Sequence, residues 1–129
     1  MEALTKVNMC GSYAEEKKAK DVLILEMAGL TDMADYFMIA SGTSERHVRT
    51  IADHIVTSMK SQGTKPHLIE GVNEGRWVII DYRDILVHIF IEPLRELYDL
   101  ESLWIEAKRH RVERENKRKV GAKNGKTKA

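Results

Sequence analysis

The hydrophobic positions fall into runs of two different periods. Val22-Leu23-Ile24-Leu25 and Tyr36-Phe37-Met38-Ile39-Ala40 are apolar on consecutive residues. Short runs of that kind predict strands covered on both faces. Gly29 and Thr31-Asp32 mark a turn between them. After Ser41-Gly42-Thr43-Ser44 the period changes. Val48, Ile51, Ala52, Ile55 and Met59 recur at helical spacing, with Arg46, Arg49, Asp53 and Lys60 mostly opposite. Thr43 or Ser44 is placed to cap the first free amides of that helix, and Gln62-Gly63 ends it. Pro66 to Glu70 reads as a weak strand that starts at the proline or lies at an edge. Arg76 to Tyr82 and Ile85 to Ile91 are the clearest strands. Only Arg83-Asp84 separates them, which predicts an antiparallel hairpin. Glu92-Pro93 then opens a helix, proline being tolerated in the first turn. Leu100, Leu103, Trp104 and Ala107 continue its apolar stripe.

The two ends read differently from the middle. Residues 1–12 carry no clear period and Gly11-Ser12 reads as a break, so a flexible N-terminal segment is expected there. Ala14 to Lys20 is a short charged helical stretch. Beyond Ala107 the stripe fades into charge, and Val120 to Ala129, rich in Gly and Lys, is expected to be unstructured. The predicted order is α-β-β-α-β-β-β-α. That is an α/β domain over residues 13–107, a mixed β-sheet of about five strands with helices packed on it, followed by a basic C-terminal extension over residues 108–129.

Composition bounds what such a domain does. At 129 residues and 43% hydrophobic content the chain can bury one core. No apolar run reaches the roughly 20 residues of a membrane span. The start of the chain has no basic-then-apolar leader pattern. A single cysteine, Cys10, excludes an intrachain disulfide, so a reducing cytoplasm is the expected compartment. The overall charge of +1 hides an asymmetry: residues 108–129 hold ten Lys/Arg against two acids, while residues 1–107 hold eleven against eighteen. An acidic body with a basic tail meets phosphates or stays solvated.

Few residues suit catalysis. His47 and His54 share a helix face but stand about 10 Å apart along it, too far for one metal ion. With no cysteine pair and no H-E-x-x-H, no metal or other cofactor is expected. Cys10, in the segment read as flexible, has no obvious base beside it and reads as an incidental thiol. Strand, Ser41-Gly42-Thr43-Ser44 and helix together resemble a phosphate-cradling turn, and also the Gly-Ser turn of nucleotidyltransferases. Those enzymes need two carboxylates spaced D-x-D on a strand. Here Asp81 and Asp84 stand three apart across a hairpin tip, where alternation denies them a common strand face. A capped turn is the preferred reading.

The hairpin is more informative. Val78, Ile80 and Tyr82 share one face of its first strand; Trp77, Ile79 and Asp81 share the other. On the second strand Ile85, Val87, Ile89 and Ile91 look like core, and Leu86, His88 and Phe90 face the other way. A face built from Trp, Asp, His, Phe and aliphatics suits protein binding; it equally suits a tryptophan partly covered by the domain's own helices. In the tail, Arg109, Arg111, Arg114, Lys117, Arg118 and Lys119 could attract phosphates. No aromatic accompanies them to stack on bases, and a merely solvated tail is the commoner case.

Three segments together carry a resemblance. ADYFMIASGTSERHVRTIADHI (Ala34 to Ile55), EGVNEGRWVIIDYRDILVHIF (Glu70 to Phe90) and RELYDLESLW (Arg95 to Trp104) are similar to the iojap-like family, whose bacterial members are ribosomal silencing factors. The resemblance covers about residues 13–107. It implies a fold related to nucleotidyltransferases but without their catalytic carboxylates, and a role that is not enzymatic. It implies binding to the large ribosomal subunit through its protein number fourteen, steric exclusion of the small subunit, and a homodimer when free. Carried onto this sequence, the implied ribosome-facing residues are Trp77, Asp81 and Tyr82, with His88 beside them. Arg95, Tyr98 and Trp104 match the family's C-terminal pattern; Tyr98, Leu100 and Trp104 read first as core or dimer packing. The basic tail lies outside the resemblance, and contact with ribosomal RNA is the expectation for it. The competing expectation is a small nucleotide- or phosphate-binding protein that uses Ser41 to Ser44. A third, general RNA binding through the tail, is opposed by the acidic body.

Overall fold

The computed structural model describes residues 1–113. Its elements are α1 (Ala3–Glu16), β1 (Lys20–Glu26), β2 (Tyr36–Gly42), α2 (Glu45–Ser61), β3 (Leu68–Glu70), β4 (Trp77–Asp81), β5 (Ile85–Ile91), α3 (Glu92–Tyr98), α4 (Leu100–Leu103) and β6 (Lys108–His110). The strands form one mixed six-stranded sheet in the order β3-β4-β5-β2-β1-β6. Only β2 and β5 pair in parallel; every other pair is antiparallel. Central position explains why β2 and β5 read as unbroken apolar runs: each has a neighbour on both sides and protein over both faces. No helix among the described residues is long and apolar enough to cross a membrane.

The two faces of the sheet are covered unequally. On the first, α1 and α2 pack Val7, Cys10, Ala14, Val48, Ile51, Ile55 and Met59 onto Ile24, Met38, Val78, Ile80, Val87 and Ile89. On the second, Leu25, Phe37, Ile39, Leu86 and Phe90 are covered by Leu94 and Leu100 from the short C-terminal helices and by Trp104 and Ala107 just beyond them. In α2, the five positions expected from periodicity are the buried ones. Its first turn is capped by Ser44, whose hydroxyl accepts the His47 amide at 3.0 Å. Gly42 allows this helix to start hard against β2: a Cβ there would sit 2.8 Å from Val48 Cγ2.

Both chain ends correct the expectation from sequence. Residues 1–12 are not a flexible segment, since α1 runs through them from Ala3 to Glu16 and buries Val7, Cys10, Gly11 and Ala14. Those four follow helical spacing, but small residues fill three of the places, which mutes the pattern. Gly11 is a packing residue and not a break. A Cβ on it would lie 2.5 Å from Val112 Cγ2, so the chain after β6 crosses the helix at that point. The basic extension does not begin at 108 either. Lys108–His110 pair with β1 as a sixth strand, and Val112 is buried. The single C-terminal helix expected after Pro93 is two short ones, broken at Asp99, whose φ of 47° is left-handed.

Gly11→Leu should therefore cost about 2 kcal/mol of stability through overpacking. Gly11→Leu combined with Val112→Ala should recover part of that loss. Urea unfolding of both variants measures it; additive effects would show that the two positions do not touch.

Candidate functional site: the aromatic face of the β4–β5 hairpin

Arg83-Asp84 makes the tight connection between β4 and β5. The Tyr82 amide donates to the Ile85 carbonyl at 3.0 Å, and Arg83 takes a φ of 74°. Asp81 steadies the turn, its carboxylate accepting the Arg83 amide at 2.7 Å. The pairing that results sets Trp77 opposite Phe90, Ile79 opposite His88 and Asp81 opposite Leu86. The two sets of mixed residues read from the sequence thus lie on one sheet face.

Trp77 is half-buried at the centre of an aromatic group. Its ring stacks on Phe90 at 4.8 Å between centroids and meets Tyr98 of α3 at the same distance. Tyr98 is 51% exposed, so this cluster reaches the surface. Tyr98 was expected as core or dimer packing; the structure makes it the outer wall of the Trp77 site. Phe90 was not singled out from the sequence as a site residue. Counting back from a two-residue turn would have found it, because that turn fixes which residues face each other.

His88 and Tyr82 do not sit where a surface contact requires. His88 is only 5% exposed. Its Nδ1 accepts the indole Nε1–H of Trp77 at 3.2 Å, and Phe37 meets its ring edge-on at 5.0 Å. With Nδ1 an acceptor, the neutral ring carries its proton on Nε2, and that atom is buried without a partner among the described residues. Burial lowers the His88 pKa to about 4. Tyr82 is one residue beyond Asp81, so strand alternation turns it to the opposite face. It is buried in the core beneath α1, and burial pushes its phenol pKa well up. Its hydroxyl has no partner among the described residues. Of the four residues expected to face a partner, Trp77 and Asp81 share a partly exposed face, His88 lies behind Trp77, and Tyr82 is excluded by the pleat.

The Ser41–Ser44 turn is already occupied. The Thr43 amide donates to His47 Nδ1 at 2.9 Å, Ser44 caps α2, and Ser41 Oγ accepts from Arg95 at 3.0 Å. The Thr43 amide and the Ser41 hydroxyl are thus engaged within the fold. An open cleft of about 740 Å³ does lie at the carboxyl ends of β2 and β5, lined by Ser41, Arg95, Glu96, Asp99, Glu101 and Arg109 among others. Its central cation is committed. Arg95 donates to the Asp21 carbonyl at 2.7 Å and pairs with Glu101 at 3.0 Å. The hairpin aspartates are committed as well: Asp84 pairs with Lys6 at 2.7 Å, and Asp81 holds the turn.

The family description "Ribosomal silencing factor during starvation" matches residues 1–129. The chain belongs to the ribosomal silencing factor family. The ribosomal silencing factor RsfS of Bacillus subtilis (strain 168) is 37% identical over 101 residues, 78% of this chain and 86% of its own length. RsfS of Halalkalibacterium halodurans is 40% identical over 93 residues, 72% of this chain and 80% of its own. A crystal structure of a Chromobacterium violaceum protein matches with a TM-score of 0.79 at 31% identity, covering 81% of this chain and 87% of that one.

In this member of the silencing-factor family, several other polar residues make contacts within the fold. His47 ties α2 to α1, its Nε2–H donating to the Lys17 carbonyl at 2.8 Å, and His54 reaches Glu16 at 2.7 Å. Cys10, expected in a flexible segment, is fully buried, and burial pushes its thiol pKa up to about 12. In the tail, Arg109 is part of β6 and donates to the Glu101 carbonyl at 3.0 Å, while Arg111 is exposed. Arg114, Lys117, Arg118 and Lys119 lie outside the described residues, as does the Val120 to Ala129 segment.

The buried His88 ties stability to pH. The folded protein holds it neutral down to about pH 4, while the unfolded chain takes up a proton near 6.5. Between those values the unfolded state binds more protons, so stability falls as pH drops through that window. The loss should approach about 3 kcal/mol at its acid end. Urea unfolding of wild type and His88→Leu at pH 7 and pH 4 measures it. The wild type should lose more than the variant by about that amount, and equal losses would show that His88 does not carry the effect.

Proposed function

We propose that this chain binds the large ribosomal subunit through ribosomal protein number fourteen and blocks joining of the small subunit, repressing translation in the cytoplasm. The observation that carries this reading is Trp77: a half-buried indole backed by Phe90 and flanked by Tyr98 on a rigid sheet face. Aromatic anchors of that kind dominate protein interfaces. The mechanism needs no proton transfer and no nucleophile. It needs only an interface of about 1,600 Å² in total, placed where another subunit must dock. Asp81 sits on the same face and adds a polar group near its rim.

Two companion proposals complete the reading. The free chain is a homodimer, for which exposed Leu97, Leu103 and Ile105 offer apolar area. The basic residues from Arg111 onward touch ribosomal RNA. Nucleotide or phosphate binding at Ser41 to Ser44 is the weaker alternative, because the Thr43 amide and the Ser41 hydroxyl are engaged by His47 and Arg95.

Sedimentation of purified large subunits with this protein, followed by addition of small subunits, tests the function. Co-migration and loss of the joined ribosome are expected. Trp77→Ala should fold normally and weaken binding by at least about 2 kcal/mol, or roughly thirtyfold. Wild-type affinity in that variant would put the interface elsewhere. Removing residues 114–129 should weaken binding more at low salt than at high salt; unchanged affinity at both would remove the RNA contact.

A further inference from the structure

His88 is an expensive residue where it stands. It lies in an apolar layer among Phe37, Phe90 and Trp77, with its Nε2–H buried and unpaired among the described residues. An unpaired buried donor is costly. A leucine would remove it, leaving the Trp77 indole Nε1–H without its acceptor and free to turn to solvent. Native structures keep an unsatisfied group of this kind where it does something else. What a leucine lacks and this imidazole supplies is one acceptor, Nδ1, and the atom it holds is the indole Nε1–H of Trp77.

We propose that His88 is a positioning residue that fixes the Trp77 ring for partner binding, through the Nε1–H to Nδ1 hydrogen bond. The bond has two consequences. An indole is free to rotate about two side-chain torsions; here stacking on Phe90 and Tyr98 limits its tilt, and the hydrogen bond selects which ring edge points inward. The bond also withdraws the only donor of the indole from the surface. A partner then meets an apolar ring with no polar hydrogen to desolvate, and the ring arrives already ordered. The cost of ordering the side chain is thereby met on folding and not on binding. The backbone supports this division of labour. Trp77 pairs with Phe90, and His88 is two residues before Phe90 on the same face of β5, so the ring lies diagonally behind the indole.

This inference rests on the proposed ribosomal role of the Trp77 face, and the test separates the two. The variants are His88→Leu, which removes the acceptor and keeps an apolar filler, and His88→Gln, which restores an acceptor. Both are made in a Trp104→Phe background, so that Trp77 supplies the only indole. Hydrogen exchange of the indole Nε1–H by NMR reads the bond directly, thermal melting checks the fold, and isolated large ribosomal subunits are the binding probe. His88→Leu should melt no lower than its parent. Its indole hydrogen should exchange at least about tenfold faster, and its affinity for large subunits should fall about tenfold. His88→Gln should recover part of both. Unchanged indole exchange in His88→Leu overturns the inference, because the bond is then not holding the ring. Faster exchange with unchanged affinity also overturns it, because orientation then does not matter to the partner. If the parent itself fails to bind large subunits, the functional reading falls and the positioning role falls with it. The exchange rates still report whether His88 holds the ring.

Discussion

Arg95 holds the second face of the sheet closed. Two helices of ordinary length, α1 and α2, cover the first face mainly by hydrophobic burial. The second face has only α3 and α4, of seven and four residues, and neither contains a fully buried side chain. Helices that short do not hold themselves in place by propensity. Arg95 supplies the anchor. One guanidinium reaches the Asp21 carbonyl, Ser41 Oγ and the Glu101 carboxylate, and so ties α3 and α4 to β1 and β2. The fork geometry of arginine allows it to bind all three at once, where a lysine would offer a single point charge. Asp21 contributes its carbonyl because β1 is irregular there, with a left-handed φ of 51° and a register shift against β2.

The site depends on that anchor. Tyr98 stands on α3 and walls the Trp77 ring from one side, while Phe90, on β5, backs it from below. Trp104, beyond α4, covers Phe37, which in turn packs on His88. Chain segments distant in sequence thus converge on one indole. Coverage is unequal: the α1–α2 face is buried, and the α3–α4 face is thin enough to leave Trp77 half in solvent. A thinly covered aromatic face on a rigid sheet suits a binding module, whose dominant contacts are often aromatic.

The cleft beside Arg95 lies where open α/β sheets place ligands. In open α/β sheets ligands bind beyond the carboxyl ends of the parallel strands. Here β2 and β5 are the parallel pair, and their carboxyl ends meet Arg95, Ser41 and Glu101. Those side chains bind one another. Arg95 spends its guanidinium on holding the C-terminal helices.

Local pattern alone determined most of the architecture. Apolar runs marked β1, β2, β4 and β5, helical spacing marked all five buried positions of α2, and two residues between β4 and β5 dictated a hairpin. Which faces of the two hairpin strands lie together stayed open in the sequence, and the register that sets Trp77 opposite Phe90 came from the structure. Side-chain alternation placed Tyr82 opposite Asp81. The family match followed from those same segments. Tertiary structure decided the rest. The buried side of α1 is made largely of small residues, and only the crossing of Val112 over Gly11 explains why a glycine belongs in that helix. A three-residue β6 carries no periodicity to read, and it exists because the edge of β1 is there to pair with it. The role of His88 was invisible for a similar reason. A histidine in a strand reads as a surface group until the layer above it is in place, and burial, not residue type, decides whether it meets a partner or supports the residue that does.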